Sequence, residues 1–576
     1  MAMLDMVTLL GTQRTKHGAR PLFGRKVGGA WHYETYEEFG RRVDACRARL
    51  ATLGLAPGER VAIISGNRIE WVAYCFAAYG LRAAWVPMYA AQLEDDWMYI
   101  LRDSGARICL VEDEALESRI AARRTEAPAL QHIIRLDVDA SIAAETPVQP
   151  PDADDVANIV YTSGTTGRPK GVLLTHKNLA AAIGGVMGDL PLSAETRFLS
   201  FLPWAHVGGG VSELLGIISL GASTALAEGP DKILQNLGEV RPTALVAVPR
   251  IWNRLRASVE KQVADAPAPA RALFRTAMEA RSKARRGERL RKRERLAVVL
   301  AERLIFRKVR ERLGGRLEFA LSGAAALSQE VGEFIDNLGI TVLEGWGMTE
   351  TSGVATLNRL DSRRIGSVGK PLRGVRVTVD RDKGHDGEHG ELIVHGDFVM
   401  KGYHGIDDEA GSAVDADGGL RTGDLGRVDA EGFVWITGRV KERFKLENGK
   451  YVAPVAVEEK MMLSRFVTQA FIHGDNRPHT VALVAPDIAE LRAWAQANAP
   501  DLVSDTSLLE NARVLRCVMA DVERYLADVK SYERPKRIAL LTEEFTTANG
   551  LLTPSLKVKR SAVLARYGDV VASLYR

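Results

Sequence analysis

The chain has 576 residues, 26% charged and 46% hydrophobic. That composition excludes disorder and fibrous repeats, and because one hydrophobic core stops growing near roughly 250 to 300 residues, the length implies at least two domains. The net charge of +4 is uneven: residues 281–316 hold fifteen Lys/Arg against four Asp/Glu, so the rest of the chain is net acidic at −7.

Cys46, Cys75, Cys109 and Cys517 are far apart, with no CxxC pair or Cys/His ligand spacing. This argues against a disulfide scaffold and a zinc site and predicts a reducing, cytoplasmic setting. The first residues, MAMLDMVTLLGTQRTKHG, carry Asp5 and lack a basic start and a long apolar run, which is not the pattern of a secretory signal. Next, RVAIISG (60–66) and ARICLVED (106–113) read as buried strands, with the helical run WVAYCFAAYGLRAA (71–84) between them. Alternation of this kind predicts an α/β architecture.

After the apolar run VANIV comes YTSGTTGRPKG (161–171). Thr162, Ser163, Thr165 and Thr166, among Gly164, Gly167 and Gly171, offer backbone N–H and hydroxyl groups that can converge on phosphate oxygens, and Lys170 adds a point charge. It is not a Walker A loop, because Pro169 precedes Lys170 and Gly171 follows it. LPWAHVGG (202–209) brings Trp204 beside His206, although a lone His is more often structural. The apolar stretch 207–227 is interrupted by Glu213 and reads as a buried helix and strand, not a membrane span. TALVAVP (243–249) is a further buried strand.

In 281–316, Leu296, Leu300 and Leu304, then Ile305, Val309 and Leu313, recur at four-residue steps, the spacing of an amphipathic helix with Arg/Lys on its outer face. Such a segment is either a solvated insertion or a surface for anionic lipid or a polyanionic substrate. Nucleic acid is excluded as a partner, since neither interleaved aromatics nor a DNA-binding motif accompanies the charge. SGAAAL (322–327) presents small residues, including Gly323 and Ala324. GWGMTE (345–350) combines Trp346, which could stack on a purine or pack in a core, with Gly347 and the Thr349/Glu350 pair suited to phosphate and Mg²⁺. From about 366 to 438 short strands and tight turns (GVRVTVD, GELIVHG, GFVWITG) predict a β-rich subdomain. Within it RTGD (421–424) ends on Asp424, either a turn residue or an acceptor for ribose hydroxyls. Mixed α/β texture returns over 439–576, with a helix expected within 506–530.

Taken in order, these motifs resemble the AMP-forming acyl-CoA synthetases of the adenylate-forming superfamily, and the long-chain fatty acyl branch in particular. The resemblance covers nearly the whole chain. It implies a large N-terminal domain (1–438) of two α/β subdomains plus the β-rich subdomain, and a small mobile C-terminal α/β domain (439–576). It implies ATP, Mg²⁺ and coenzyme A, with a fatty acid activated through an acyl-adenylate to an acyl-CoA thioester. A ligase loading a carrier protein, or a CoA ligase for another acid, would share the same ATP motifs.

On this resemblance the 162–167 loop and Lys170 hold phosphates, Glu350 and Thr162 hold Mg²⁺, and Gly323, Ala324, Trp346 and Gly347 meet adenine, with Trp346 where the family usually has Tyr. Thr349 meets phosphate, Asp424 and Arg439 meet the ribose or phosphate, and His206 lies by the acyl group. GRVKERFKLENGKYVAPVAVE (438–458) resembles the family hinge, with Lys441 at the pivot and Gly449 against the pantetheine arm of CoA. NGLLTPSLKVKR (549–560) resembles the catalytic-lysine segment, with Lys557 as catalyst, Leu556 where the family has Gly, and Lys559 as fallback. The basic segment suits peripheral contact with the inner face of an anionic membrane, and a homodimer is compatible with the resemblance.

Overall fold

Strands rich in Val, Ile and Ala need cover on both faces, and they build the parallel sheets that position the site. The computed structural model describes residues 5–136, 146–162, 168–383, 388–406, 413–415, 417–500, 502, 508–553 and 555–576. A seven-stranded sheet runs in the order Gly402–Tyr403, Lys170–Thr175, Val156–Thr162, Ala84–Met88, Arg60–Ile64, Ile108–Val111, His132–Arg135. Its last four strands are mutually parallel, whereas Lys170–Thr175 returns antiparallel on Val156–Thr162. A five-stranded sheet begins with parallel Ala244–Ala247, Phe319–Ser322 and Val342–Trp346. A four-stranded sheet joins Pro21–Val27 and Ala30–Thr35 to Ser223–Leu226 and Arg197–Ser200.

The helix expected over 71–84 is Ile69–Tyr79, buried almost all round. It stops at Gly80, and Arg82 takes a left-handed φ of 57° that turns the chain into the strand at Ala84. The β-rich part is an antiparallel sheet of Arg376–Asp380, Gly390–His395, Leu420–Val428 and Val434–Arg439. Beyond it, Val467–His473, Val481–Pro486 and Ile538–Leu540 form a separate sheet covered by Pro454–Met461 and Ala512–Tyr525. Its apolar clusters contain only residues from 444 onward. The latter helix is the one expected within 506–530.

The stretch 207–227 is a π-helix, Gly208–Leu215, then Gly216–Leu220 and the strand Ser223–Leu226. Close approach is enforced at its start, because a Cβ on Gly210 would lie 2.3 Å from the Trp204 carbonyl oxygen. Glu213 is buried in the π-helix, where Oε1 accepts a hydrogen bond from Ser200 and Oε2 has no partner. Burial pushes its carboxyl up to about 8, so the folded chain holds a proton there that the unfolded chain releases above its ordinary value. Native stability attributable to Glu213 therefore falls as pH rises from about 5 to 8, by roughly 1.4 kcal/mol per pH unit at the steepest. Thermal melts of Glu213→Gln should lack this dependence, so the variant gains on the wild type across that window. A constant difference in melting temperature would refute the buried neutral carboxyl.

The basic segment departs from its expected register. Leu296, Leu300 and Leu304 face solvent, while Ala297, Ala301, Phe306, Val309 and Leu313 are buried. Lys292–Ala301 packs closely on Ala268–Arg285 through its small residues, and a π-turn, Glu302–Phe306, inserts a five-residue step from Ala301 to Phe306. Counting by fours therefore selects the wrong face for Leu296, Leu300 and Leu304, whereas it holds for Val309 and Leu313, which are buried as expected. Arg281 and Arg310 both pair with Glu302, and Lys283 with Glu294.

Candidate active site

Thr162 and Lys170 are opposite residues at the open end of an antiparallel pair. The loop they bracket, with Ser163, Gly164, Thr165, Thr166 and Gly167, lies outside the described residues. The short strand Gly402–Tyr403 adds to the pair's edge, and His404 N–H donates to the Gly171 carbonyl at 2.7 Å. Lys170 Nζ stands 5.0 Å from the centre of the Tyr403 ring, and Tyr403 Oη donates to Glu350 Oε1 at 2.9 Å. Tyr403 thus joins the phosphate loop to the acidic motif. Nothing in its local sequence announced it, because the link depends on a strand two hundred residues downstream joining the sheet edge.

Thr349 and Glu350 lie in a buried single turn, Thr349–Thr351, directly after the strand ending at Trp346. Glu350 presents one carboxylate, with Oε1 engaged by Tyr403. Mg²⁺ keeps several waters and takes one or two carboxylates plus substrate phosphates. The donor set fits an ion that comes with a nucleotide, and no cluster of three or more His, Cys, Asp or Glu exists among the described residues.

Trp346 is buried, and its indole N–H donates to Asp424 Oδ2 at 2.8 Å; Arg439 Nε lies 2.8 Å from Asp424 Oδ1. Of the two readings left open for Trp346, the structure shows the ring packing in the core, and its edge in addition fixes Asp424. Asp424 is held from both sides, so its carboxylate is oriented before any ribose arrives; each oxygen retains a second lone pair. Gly323 lies against the backbone of Gly345, a Cβ there being 3.4 Å from the Gly345 carbonyl oxygen, and the exposed Ala324 adopts a left-handed φ of 69°. Gly347 follows the strand end, where a Cβ would lie 2.1 Å from the Gly353 carbonyl oxygen.

His206 sits where the Leu202–Trp204 turn meets the π-helix. Asn67 clamps that turn, its Nδ2 donating to the Leu202 carbonyl and its Oδ1 accepting from Trp204 N–H. His206 Nδ1 accepts from Gly208 N–H at 3.1 Å, leaving the ring proton on Nε2. Burial, and secondarily the charge of Lys557, lowers its pKa to about 4, so the ring is neutral at physiological pH. Beside it lies a cavity of about 10 Å³, room for one water, lined by Trp71, Phe76, Trp204, Val211 and Leu214 among others.

Lys557 closes the site from the far end of the chain. The residue retains exposed surface, while protein packed around the ammonium desolvates it. Desolvation, then Arg439, lowers its pKa, while Asp424, Glu442 and Glu350 oppose the shift. Lys559 acts instead on Asp96, at the start of Glu94–Ser104. The backbone also bears on the register: Leu556 is exposed and holds a left-handed φ of 62°, the conformation for which glycine is favoured. That is the position at which the resembling family carries Gly.

The structure thus brings Lys557, Glu350, Asp424, Arg439, Trp346 and His206 to one cleft. Gly449 is set apart, in the turn between Phe444–Lys445 and Tyr451–Val452 with a φ of 83°. That hairpin bonds to Asn476 and Arg477, and a Cβ on Gly449 would meet only Lys445 Cε, at 3.9 Å.

Residues 12–404 match the family described as AMP-binding enzyme, and residues 441–576 match its companion, AMP-binding enzyme C-terminal domain. The long-chain-fatty-acid–CoA ligase FadD15 of Mycobacterium bovis is 31% identical over 585 residues, covering 96% of this chain and 94% of that protein. Peroxisomal long chain acyl-CoA synthetase 6 of Arabidopsis thaliana is 31% identical over 585 residues, covering 95% of this chain and 82% of its own. The adenylation domain of a Mycobacterium chelonae carboxylate reductase shares the fold, with a TM-score of 0.81 at 21% identity over 100% of this chain and 92% of that one. With a matching sequence family over most of its length and its motifs gathered at one cleft, the chain belongs to the AMP-binding enzymes, as an adenylate-forming acyl-CoA synthetase that uses ATP, Mg²⁺ and CoA.

Proposed function

We propose that the protein activates a medium-to-long-chain fatty acid, first to an acyl-adenylate with release of pyrophosphate and then to an acyl-CoA thioester with release of AMP. The observation that carries this reading is the electrostatic convergence of Lys557 with Glu350, Asp424 and His206 across one cleft. Similarity to long-chain fatty acid ligases over nearly the whole chain supports the choice of acid.

In the first step a carboxylate oxygen bonds to the α-phosphorus of ATP and the bond to the pyrophosphate oxygen breaks. Negative charge grows on the α-phosphoryl oxygens, and a fixed cation stabilises it without reorganising at the moment of reaction. Lys557 fills that role. Thr162, Ser163, Thr165 and Thr166, the backbone of Gly164 and Gly167, and Lys170 cradle the phosphates, and Thr349 adds a hydroxyl. Glu350 and Thr162 would hold Mg²⁺, which when bound would supply neutralising charge to the phosphates. Gly323, Ala324, Trp346 and Gly347 receive adenine, and Asp424 with Arg439 receives the ribose. Neutral His206 faces the acyl carboxylate, and the apolar wall behind it takes the chain; a cavity with room for one water must widen as the acid binds.

The second step needs different groups at the same place. Residues 439–576 turn about Lys441 as a body against 1–438, withdrawing Lys557 and presenting the Gly449 hairpin to the thiol-bearing arm of CoA. A Gly449→Leu variant should then accumulate acyl-AMP, with thioester formation down by about tenfold or more and adenylation retained. Gly449→Ala carries the same backbone strain with little bulk and should keep most thioester activity, which separates obstruction from misfolding of the turn. Equal loss of both half-reactions in the leucine variant would remove the two-orientation scheme.

ATP–pyrophosphate exchange across acids from acetate to palmitate, followed by thioester detection with free CoA, tests the whole reading. Exchange without any thioester would turn it toward a carrier-protein ligase. Among the described residues no helix is long and apolar enough to cross a membrane, and the described cysteines are free thiols. On the proposed reading the enzyme works in the cytoplasm and meets its substrate peripherally, at the inner face of an anionic membrane. The chemistry requires no second copy of the chain.

A further inference from the structure

Large apolar side chains left in solvent are scattered singly over most of this protein, with one exception. Leu296, Val299, Leu300 and Leu304 are 60%, 58%, 41% and 55% exposed. All four lie within nine residues on the outward side of Lys292–Ala301 and the π-turn that follows it. The inward side is already occupied by Ala297, Ala301 and Phe306, so folding has no further use for the leucines. Four such side chains in one stripe are unusual for a surface that meets only water.

The charges around the stripe indicate what covers it. Lys292, Arg293, Arg295, Arg303 and Lys308 are exposed, and none of them forms an ion pair among the described residues. Their neighbours closer to the core are engaged in ion pairs, Arg281 and Arg310 sharing Glu302 and Lys283 meeting Glu294. The free cations therefore bracket the apolar stripe. A second copy of this chain would bring two faces of a segment with a net charge of +11 together, which opposes self-association. A surface that is anionic at headgroup level and apolar beneath it complements both features, the leucines entering the acyl boundary and the long Arg and Lys stems reaching back to phosphates.

We infer that the outer face of Lys292–Lys308, with Leu296, Val299, Leu300 and Leu304 at its centre, docks the enzyme in the plane of an anionic lipid bilayer. The surface itself is independent of the acid used; only its purpose, collecting a chain that partitions into lipid, rests on the fatty-acyl reading.

The test sediments the full chain with vesicles of phosphatidylcholine alone or mixed with phosphatidylglycerol, at low and high salt. Wild-type protein should bind the mixed vesicles, with the bound fraction falling as salt rises, because exposed charges are screened beyond about 10 Å at 0.1 M. A Leu296→Gln/Leu300→Gln/Leu304→Gln variant should lose about tenfold or more in partitioning. Its melting temperature and its rate on detergent-dispersed acid should match the wild type, since these residues touch neither core nor cleft. Arg293→Glu/Arg303→Glu should lose binding to mixed vesicles specifically. Equal binding of the leucine variant and wild type, no preference for phosphatidylglycerol, or loss of a solution dimer in place of vesicle binding would each overturn the inference. Failure of the fatty-acyl reading would show separately, as absent activity on detergent-dispersed acid.

Discussion

Lys557→Ala should slow acyl-adenylate formation about 10²- to 10³-fold, the usual loss when one preorganised charge-stabilising donor is removed. The cleft geometry sharpens the expectation. Lys557 is pressed by desolvation and by Arg439 and is held by Asp424, Glu442 and Glu350, so removing it takes one cation from this group, and Arg439, committed to Asp424, does not replace it. The fold should survive, because Lys557 is exposed and not part of a core. Thioester formation from supplied acyl-AMP should also largely survive, since that half-reaction uses the other domain orientation. Because the ammonium titrates below its ordinary value, the adenylation rate should decline on the alkaline side at a lower pH than an unperturbed lysine would give. Lys559→Ala, which removes a charge beside Asp96, should leave exchange kinetics nearly unchanged. A pyrophosphate-exchange assay in which Lys559→Ala is inactive and Lys557→Ala is not would reverse the assignment.

The second large effect is expected along a series of acids. Each buried methylene contributes about 0.8 kcal/mol, so four more could add up to roughly 3 kcal/mol, on the order of a hundredfold in kcat/KM, until the pocket is full. Acetate should be a very poor substrate. The structure adds a condition, for the cavity behind His206 has room for one water, with Trp71, Phe76, Trp204, Val211 and Leu214 around it. Gain per methylene should therefore begin below about 0.8 kcal/mol while early methylenes open the cavity, and approach the full value afterwards. Rates that fall steadily from butyrate to palmitate, or a strong preference for benzoate, would exclude a fatty acyl substrate and leave the adenylating chemistry standing.

Much of this was legible in the sequence, because the information is local there. Strand runs such as those around Arg60–Ile64, Ile108–Val111 and Ala244–Ala247 were readable from continuous apolar composition. So was the change to short antiparallel strands over Arg376–Arg439, from its turns, because dihedral preference and burial act within a few residues. The hydroxyl- and glycine-rich composition of 161–171 and the acidic residue that ends GWGMTE at Glu350 were equally plain as residue types, and the roles they suggest rested on the ordered set of motifs more than on any one of them.

What local reading could not supply depended on distant segments meeting or on a change of helical phase. The hydrogen bond from Trp346 to Asp424, and the path from Lys170 through Tyr403 to Glu350, join positions tens to hundreds of residues apart. The sequence left two basic candidates near its C-terminus, but the left-handed turn at Leu556 sends Lys557 into the cleft and Lys559 toward Asp96. The leucines of 296–304 have the period of a core-facing stripe, yet alanines pack the inner face and the π-turn at Glu302–Phe306 shifts the register after them. Periodicity determined that this helix has an apolar side; only packing against Ala268–Arg285 decided that the side would face outward, because a close helix contact accepts alanine and excludes leucine.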